Sequence, residues 1–258
     1  MWLVRGTVLT GPEPANTTPP VVSSRRPGLA SRIYDVGMTF SDRRIAALFS
    51  LVLASGMCLA LLAFRVRYPF GSDYRFLAWN LFLAWIPFLL AVALYDSDRR
   101  GRGIAFLAFL AGTWLLFLPN APYIVTDFIH VGSVSGAPIW YDAAMTASFA
   151  ALGLVLGLGS VLLVQGVIER HFGRIVGWVI LAPIFLLCSA GIYLGRVHRF
   201  NSWDAITQPS SLLDTIGTRL ADPLARPEAI VTLVGTMGLL AVAYLVLYTV
   251  SDLRLDRE

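Results

Sequence analysis

The stretch Ala143–Ile168, AAMTASFAALGLVLGLGSVLLVQGVI, decides the fold class of this chain. It contains no Asp, Glu, Lys, Arg or His side chain. A helix needs about 20 predominantly apolar residues to cross a bilayer, where no water is present to hydrogen-bond an exposed backbone. The sequence therefore predicts a membrane-spanning α-helix here.

Five further stretches have the same apolar character: Ile45–Phe64, Phe76–Tyr95, Gly103–Leu118, Ile175–Leu194 and Ala229–Val250. The stretch that ends at Leu118 is the shortest, and Pro119 and Asn120 extend it towards the membrane interface. The predicted fold is therefore all-α, a polytopic integral membrane protein with six transmembrane helices.

The composition agrees with this fold class and excludes several others. Of the 258 residues 57% are hydrophobic and 14% are charged, and the mean hydropathy is +0.70. A soluble domain carries about 25% charged residues, so an ordinary cytosolic enzyme, a disordered protein and a disulfide-rich secreted scaffold are excluded. All 20 basic residues are arginines, which are scattered through short loops, and this argues against a nucleic-acid partner. The use of arginine without any lysine is what a GC-rich bacterial genome produces, so the expected location is a bacterial plasma membrane and the expected partner is the lipid bilayer.

Residues 1–40 are predicted to form a disordered, proline-rich tail ahead of a six-span domain over residues 41–258. Five prolines would break any helix in the tail, with Thr, Ser and Gly between them: Pro12, Pro14, Pro19, Pro20 and Pro27. Met1–Thr10 also lacks the apolar core of a signal peptide.

The distribution of arginine predicts the sidedness. Six crossings put both termini on one side, and the segments of that side carry 13 of the 20 arginines. Without four distant arginines of the tail, the count is 9 against 7. Cytoplasmic segments carry an excess of basic residues, and segment 119–142 on the other side has no arginine. We therefore expect both termini in the cytoplasm and this segment outside.

The segment Leu118–His130, LPNAPYIVTDFIH, is predicted to break the third span. Pro119 and Pro122 cannot donate to a helical hydrogen-bond ladder. Asn120 is a suitable cap for a new short helix, in whose first turn a proline is tolerated.

In that short helix Tyr123, Asp127 and His130 would lie on one face. Asp127 and His130 could act as paired metal ligands, or as a base and its orienting carboxylate. An interfacial helix with its polar face towards water and head groups would show the same spacing.

Trp140, Tyr141 and Asp142 open the fourth span. The two aromatic residues are typical of interface anchors, and a carboxylate is favoured in the first turn of a helix. Asp142 is nevertheless expected on the same side as Asp127 and His130, where it could join them as an acid or base.

The segment Gly191–Asp204, GIYLGRVHRFNSWD, follows the fifth span on that same side. Arg196 and Arg199, one helical turn apart, could clamp a phosphate or carboxylate, or could extend to lipid phosphates. Residues 201–204, Asn-Ser-Trp-Asp, then bring an amide, a hydroxyl, an aromatic ring and a carboxylate within four positions. This is a higher density of functional groups than an interface anchor needs. The candidate ligand-binding residues are therefore Asn120, Tyr123, Arg196, Arg199, Asn201 and Trp203, and the candidate acids and bases are Asp127, His130, Asp142 and Asp204.

Two weaker patterns concern packing. An apolar stripe in Pro209–Leu220 predicts a short helix in the outer interface. The pairs Gly153/Gly157 and Gly191/Gly195 would allow helices to approach closely. No sequence motif identifies a cofactor.

The motifs LPNAPYIVTD-x-x-H, Trp-Tyr-Asp and GIYLGR-x-x-R-x-NSWD together resemble a bacterial polytopic membrane family, domain of unknown function 1361. The resemblance runs from about Arg43 to about Pro209, with the last span following. It brings no activity, ligand or partner. It implies that the polar motif positions form one shared site: Pro119, Asn120, Pro122, Tyr123, Thr126, Asp127, His130, Asp142, Arg196, Arg199, Asn201, Ser202, Trp203 and Asp204.

Three functional classes stay open at this point. The first is a membrane enzyme that acts on lipid-linked or envelope head groups at the extracytoplasmic face, with the two arginines holding an anion. The second is a transporter or channel, which the broken third span favours and the absence of ionisable residues within the predicted spans opposes. The third is a structural or assembly subunit, whose outer motifs would dock a protein partner that the sequence does not identify.

Overall fold

A computed structural model describes residues 40–67, 74–132, 138–221 and 227–252. The predicted disordered tail lies outside these residues, apart from its last position. The chain divides into two units between Ala46 and Ala47. Of the first unit only residues 40–46 are described, as the beginning of a helix, so the packing below is that of the second unit.

The described residues form ten α-helices and one 3₁₀ helix. In chain order they are α1 (Phe40–Arg67), α2 (Phe76–Arg99), α3 (Ile104–Phe117), α4 (Asn120–Tyr123), the 3₁₀ helix (Ile124–His130), α5 (Ile139–Phe172), α6 (Arg174–Val179), α7 (Leu181–His198), α8 (Asp204–Thr207), α9 (Pro209–Ala221) and α10 (Pro227–Asp252).

The all-α, six-span architecture is confirmed. Within the described residues, six helical runs are long and apolar enough to cross a membrane: Arg44–Arg67, Phe76–Arg99, Ile104–His130, Ile139–Phe172, Arg174–His198 and Ala229–Ser251. They extend the six apolar stretches of the sequence by a few residues at most ends, because the polar residues that flank an apolar stretch still complete the last turns of its helix.

Large apolar side chains cover the outside of this bundle, as a bilayer environment requires. Phe49 on α1 is 67% exposed, and Val231 and Val242 on α10 are 69% and 61% exposed. In water such surfaces would be strongly unfavourable, whereas lipid tails solvate them.

The third span is broken after Phe117, as the prolines predict. The Ala121 backbone N–H bonds back only three residues, to the Leu118 carbonyl at 3.2 Å. In a continuous helix the Ala121 N–H would donate to the Phe117 carbonyl. Here that carbonyl accepts instead from the Asn120 amide nitrogen, at 2.9 Å. The predicted capping hydrogen bond of Asn120 is therefore not made. Its amide nitrogen instead donates to the last carbonyl of α3.

Glycines on two neighbouring helices admit the broken segment into the bundle. A Cβ on Gly153 of α5 would lie 2.5 Å from the Ala121 carbonyl oxygen, and one on Gly157 would lie 3.0 Å from the Ala121 Cβ. A Cβ on Gly191 of α7 would lie 2.5 Å from Pro119 Cγ. The close approach that these glycines predicted is therefore made between their helices and the broken segment of the third span. This packing holds the polar residues that follow the break inside the protein.

Candidate functional site

A cavity of about 600 Å³ lies where the break of the third span meets the end of α7 and the first turns of α2. Its size is that of a pocket for a small organic ligand. Apolar side chains form part of its wall, among them Trp79, Leu83 and Leu116. Its polar lining residues are Asn80, Asn120, Tyr123, His130, Arg196, Arg199, Asn201 and Ser202. The lining residues include two arginines and one histidine but no Asp or Glu, so the cavity favours a negatively charged ligand.

Arg196 lines the cavity and pairs with the carboxylate of Asp127. The Arg196 Nη1 and Asp127 Oδ1 atoms are 3.7 Å apart, a distance too long for a hydrogen bond. Arg196 Nη2 is buried without a hydrogen-bond partner among the described residues. Leaving a buried guanidinium nitrogen without a hydrogen-bond acceptor costs free energy. An anion beside Arg196 would supply the acceptor that Asp127 does not.

Asp127 is 2% exposed and is held from the other side by Asn80. The Asn80 amide nitrogen donates to Asp127 Oδ2 at 2.8 Å. Both carboxylate oxygens therefore face donors of the protein, an arrangement that suits an orienting carboxylate better than a metal ligand. Within the described part of the chain, no group of three or more His, Cys, Asp or Glu side chains could hold a metal ion.

His130 lines the cavity three residues after Asp127. The intervening turn is 3₁₀, so residues three apart lie on the same face. The His130 ring packs edge-on against Phe76, with ring centroids 5.1 Å apart. Its backbone carbonyl accepts a hydrogen bond of 2.8 Å from the Tyr74 hydroxyl. These contacts fix the end of the 3₁₀ helix and thereby the position of the imidazole.

Arg199 also lines the cavity, but not as a neighbour of Arg196 on one helix face. Helix α7 ends at His198, and Arg199 takes a left-handed backbone conformation with φ +58°. For a residue other than glycine this conformation costs about 1–2 kcal/mol. It turns the chain towards Asn201 and Ser202, which also line the cavity. Arg199 forms no ion pair with any residue that the structure describes.

Ser202 joins the two motif segments across the cavity wall. The Asn120 amide nitrogen donates to Ser202 Oγ at 2.8 Å. The residues that follow the third and fifth spans therefore meet.

None of the three predicted carboxylates, Asp127, Asp142 and Asp204, lines the cavity, and neither does Trp203. Asp204 is 9% exposed and accepts from the Asn201 backbone N–H at 2.7 Å, so it organises the turn that presents Asn201 and Ser202. Trp203 is partly buried in that turn and does not line the cavity. Asp142 is likewise absent from the lining residues.

Asp142 forms a buried ion pair with Arg65 at the end of α1. Arg65 Nε and Asp142 Oδ1 are 2.6 Å apart, Arg65 Nη2 and Asp142 Oδ2 are 3.2 Å apart, and both side chains are 1% exposed. The Arg65 guanidinium lies over the ring of Tyr74, 5.4 Å from its centroid. Burial raises the pKa of the Tyr74 hydroxyl, and the charge of Asp142 adds to this effect. Tyr74 therefore stays protonated and donates to His130, so the pair supports the cavity from outside it.

Asn80 and Arg65 are not among the site residues that the sequence motifs predict. Asn80 is the only Asn, Gln, Asp, Glu, Lys, Arg or His within the predicted second span, and this isolation was the available signal. Arg65 lies one residue beyond the apolar stretch of the first span, where it was counted among the loop arginines. Its partner is 77 residues away, and no local pattern encodes that distance.

A family model described as "Protein of unknown function (DUF1361)" matches residues 79–243, more than half of the chain. The resemblance drawn from the motifs is thereby confirmed, and the matched range includes all the residues that line the cavity. No curated protein and no solved structure matches the chain.

Proposed function

The chain belongs to this DUF1361 family of proteins of unknown function, and from that premise we propose that it binds the anionic head group of a lipid or lipid-linked envelope molecule. The site is the cavity beside Arg196, and the proposed location is the extracytoplasmic face of a bacterial plasma membrane. The observation that carries the proposal is the incompletely paired guanidinium of Arg196, in a cavity whose lining has positive but no negative side chains.

The position of the cavity along the spans supports a membrane-resident ligand. It lies at the ends of α7 and of the broken third span and at the beginning of α2, and these ends share one face of a six-span protein. Leu83 and Leu116 extend the cavity wall about one turn further into the spans than Asn80 and Asn120 do. A ligand with an anionic head and an apolar remainder fits this polarity.

His130 is the side chain that we propose for proton transfer in an enzymatic reaction on such a head group. An imidazole can both donate and accept a proton, and His130 shares the cavity with the two arginines. Asp127 then acts as a positioning residue, because it touches Arg196 and Asn80 but does not line the cavity. Asp142 and Asp204 support the surrounding structure in this scheme.

A transporter is the second candidate, and the broken third span is the observation that favours it. Interrupted spans line the substrate sites of many carriers, and here the break is packed against Gly153 and Gly191 within the bundle. Reconstituted vesicles separate the two candidates, because a carrier moves a labelled anion across the bilayer whereas an enzyme changes a lipid on one side of it.

The anion site is tested with the full chain in nanodiscs of phosphatidylcholine that contain a small fraction of phosphatidic acid. Native mass spectrometry counts the phosphatidic acid molecules that stay bound. We expect Arg196→Gln and Arg199→Ala each to weaken binding by about tenfold, the effect of losing one charge-assisted hydrogen bond.

The matched control is Arg102→Ala, which removes an exposed arginine from the loop between α2 and α3 at the opposite ends of the spans. It should bind phosphatidic acid as the unaltered chain does. Equal binding by all four proteins would refute an anion site at the cavity.

A further inference from the structure

We infer that the ligand of this cavity carries several hydroxyl groups next to its anion, as a sugar phosphate or another polyol phosphate does. The inference rests on the proposed function, since it specifies the molecule that bears the anionic group. It follows from hydrogen-bond acceptors in the cavity wall that an anion alone cannot satisfy.

The side-chain oxygens of Asn80 and Asn120 are two of these acceptors. The Asn80 amide nitrogen donates to the Asp127 carboxylate, and the Asn120 amide nitrogen donates to the Phe117 carbonyl and to Ser202 Oγ. Turning either amide round would place its oxygen against another oxygen, so the orientations are fixed chemically. Among the described residues, no donor reaches either amide oxygen.

Asn201 also lines the cavity and provides a third acceptor. Its amide nitrogen lies 3.4 Å from Asp204 Oδ2, and no described residue donates to its side-chain oxygen. Ser202 Oγ already accepts from Asn120, so its own hydroxyl hydrogen is available to donate. The cavity wall therefore offers amide acceptors and a hydroxyl donor as well as the two arginines.

This mixture favours a ligand that donates hydrogen bonds over a bare phosphate. A phosphomonoester at neutral pH mainly accepts hydrogen bonds, which suits Arg196 and Arg199 but offers nothing to three amide oxygens. An ammonium group could donate to them, but two arginines in the same wall oppose a cation. Hydroxyl groups donate without charge and can also accept from Ser202.

The remaining wall suits the ring of a sugar. Tyr123 and Phe200 line the cavity beside the arginines, and Trp79 lines it next to Asn80. Aromatic rings offer broad apolar faces, on which the C–H face of a cyclic polyol can pack. A cavity of about 600 Å³ also has room for a ring as well as a phosphate.

Binding is measured by isothermal titration calorimetry with the full chain in phosphatidylcholine nanodiscs. The soluble probes are inorganic phosphate, a hexose 1-phosphate and the unphosphorylated hexose. In a second arm the nanodiscs contain phosphatidylinositol or phosphatidic acid, which compares hydroxyl-rich and hydroxyl-free head groups in a lipid. A preference seen only in the lipid arm identifies a lipid source, and one seen with the soluble probes shows that the head group alone is recognised.

We expect the hexose phosphate, or phosphatidylinositol in the lipid arm, to bind at least about tenfold more tightly than its hydroxyl-free counterpart. Asn201→Ala should reduce this ratio severalfold, because one acceptor is lost from an exposed position where folding is not at risk. Ser148→Ala removes a hydroxyl outside the cavity and should leave the ratio unchanged.

Two results would overturn the inference, and they differ in what they leave standing. Equal affinity for hydroxyl-rich and hydroxyl-free phosphates, with both lost in Arg196→Gln, would retain the anion site and remove the polyol. No arginine-dependent binding of any phosphate would remove the proposed function as well.

Discussion

Gly191 on α7 faces the ring of Pro119 so closely that a Cβ atom would lie 2.5 Å from Pro119 Cγ and 2.9 Å from its Cβ. The helix therefore has room for the break of the third span only because residue 191 has no side chain. The residue that follows this proline, Asn120, lines the cavity and bonds to Ser202. A packing detail between two spans thus sets the position of a side chain in the cavity wall.

Gly191→Ala should destabilise the protein and weaken anion binding together. The added methyl group would have to displace a proline ring held in the bundle, and overpacking of this kind costs about 1–3 kcal/mol. A lower thermal unfolding temperature in detergent, with weaker binding of phosphatidic acid, is the expected result. The control is Gly166→Ala on α5, where nothing lies within 4 Å of the new Cβ. If both variants behave alike, the contact with Pro119 does not limit the fold.

The buried pair of Arg65 and Asp142 gives a second prediction, because one partner without the other leaves a buried charge. Asp142→Asn should lower stability by about 3–5 kcal/mol, as should Arg65→Met, whereas the double variant Arg65→Met with Asp142→Leu should recover most of that loss. Arg67→Met is the control, since Arg67 is exposed two residues away.

The same variants also test whether Asp142 is part of the ligand site. The double variant, once folded, should bind phosphatidic acid like the unaltered chain, because neither residue lines the cavity. Full loss of binding in a stable double variant would return Asp142 to the site.

The spans were predictable and the pairings were not, for a physical reason. A bilayer imposes a minimum apolar length on every crossing, so the six stretches from Ile45 to Val250 are visible in composition alone. Pro119 and Pro122 likewise predict the break in the third span, since neither has a backbone N–H to donate. These features are local, and a local pattern is all that a single sequence shows directly.

The cavity depends instead on contacts between distant segments. The sequence predicted Asp127, Asp142 and Asp204 alike as acids of the site. They differ in the side chains that lie beside them in the folded protein. Asp142 lies against Arg65 and Asp127 against Arg196, while Asp204 closes its own turn. Arg199 was expected on the helix face of Arg196, but α7 ends first, and its left-handed backbone was not visible in the sequence.

Asp127→Asn should raise the affinity of the cavity for an anion. The Asp127 carboxylate, 3.7 Å from Arg196 Nη1, competes electrostatically with any anion that approaches this guanidinium. Removing its charge should strengthen binding of inorganic phosphate by about tenfold, a change that Coulomb interactions across a few ångströms readily produce. Calorimetry with the folded variant measures this shift.

The control for this effect is Asp98→Asn. Asp98 is a carboxylate of similar burial, which pairs with Arg170 and His171 at the opposite ends of the spans. Its replacement should leave phosphate affinity unchanged. Weaker phosphate binding in Asp127→Asn would mean that Asp127 is needed to hold Arg196 in place more than it competes with the ligand.

The proposed sidedness can be tested with single engineered cysteines, because the native Cys58 and Cys188 are both buried. Ser211 is exposed on α9, on the same side of the spans as the cavity, and Arg102 is exposed in the loop at the opposite ends. Since the arginine distribution favours cytoplasmic termini, Ser211→Cys should react with a membrane-impermeant maleimide in intact cells, and Arg102→Cys should react only after the membrane is opened. The unaltered chain should stay unlabelled in both conditions, which controls for the native thiols. The reverse pattern would place the cavity in the cytoplasm, where it could still bind a phosphate but could not act on head groups at the outer face.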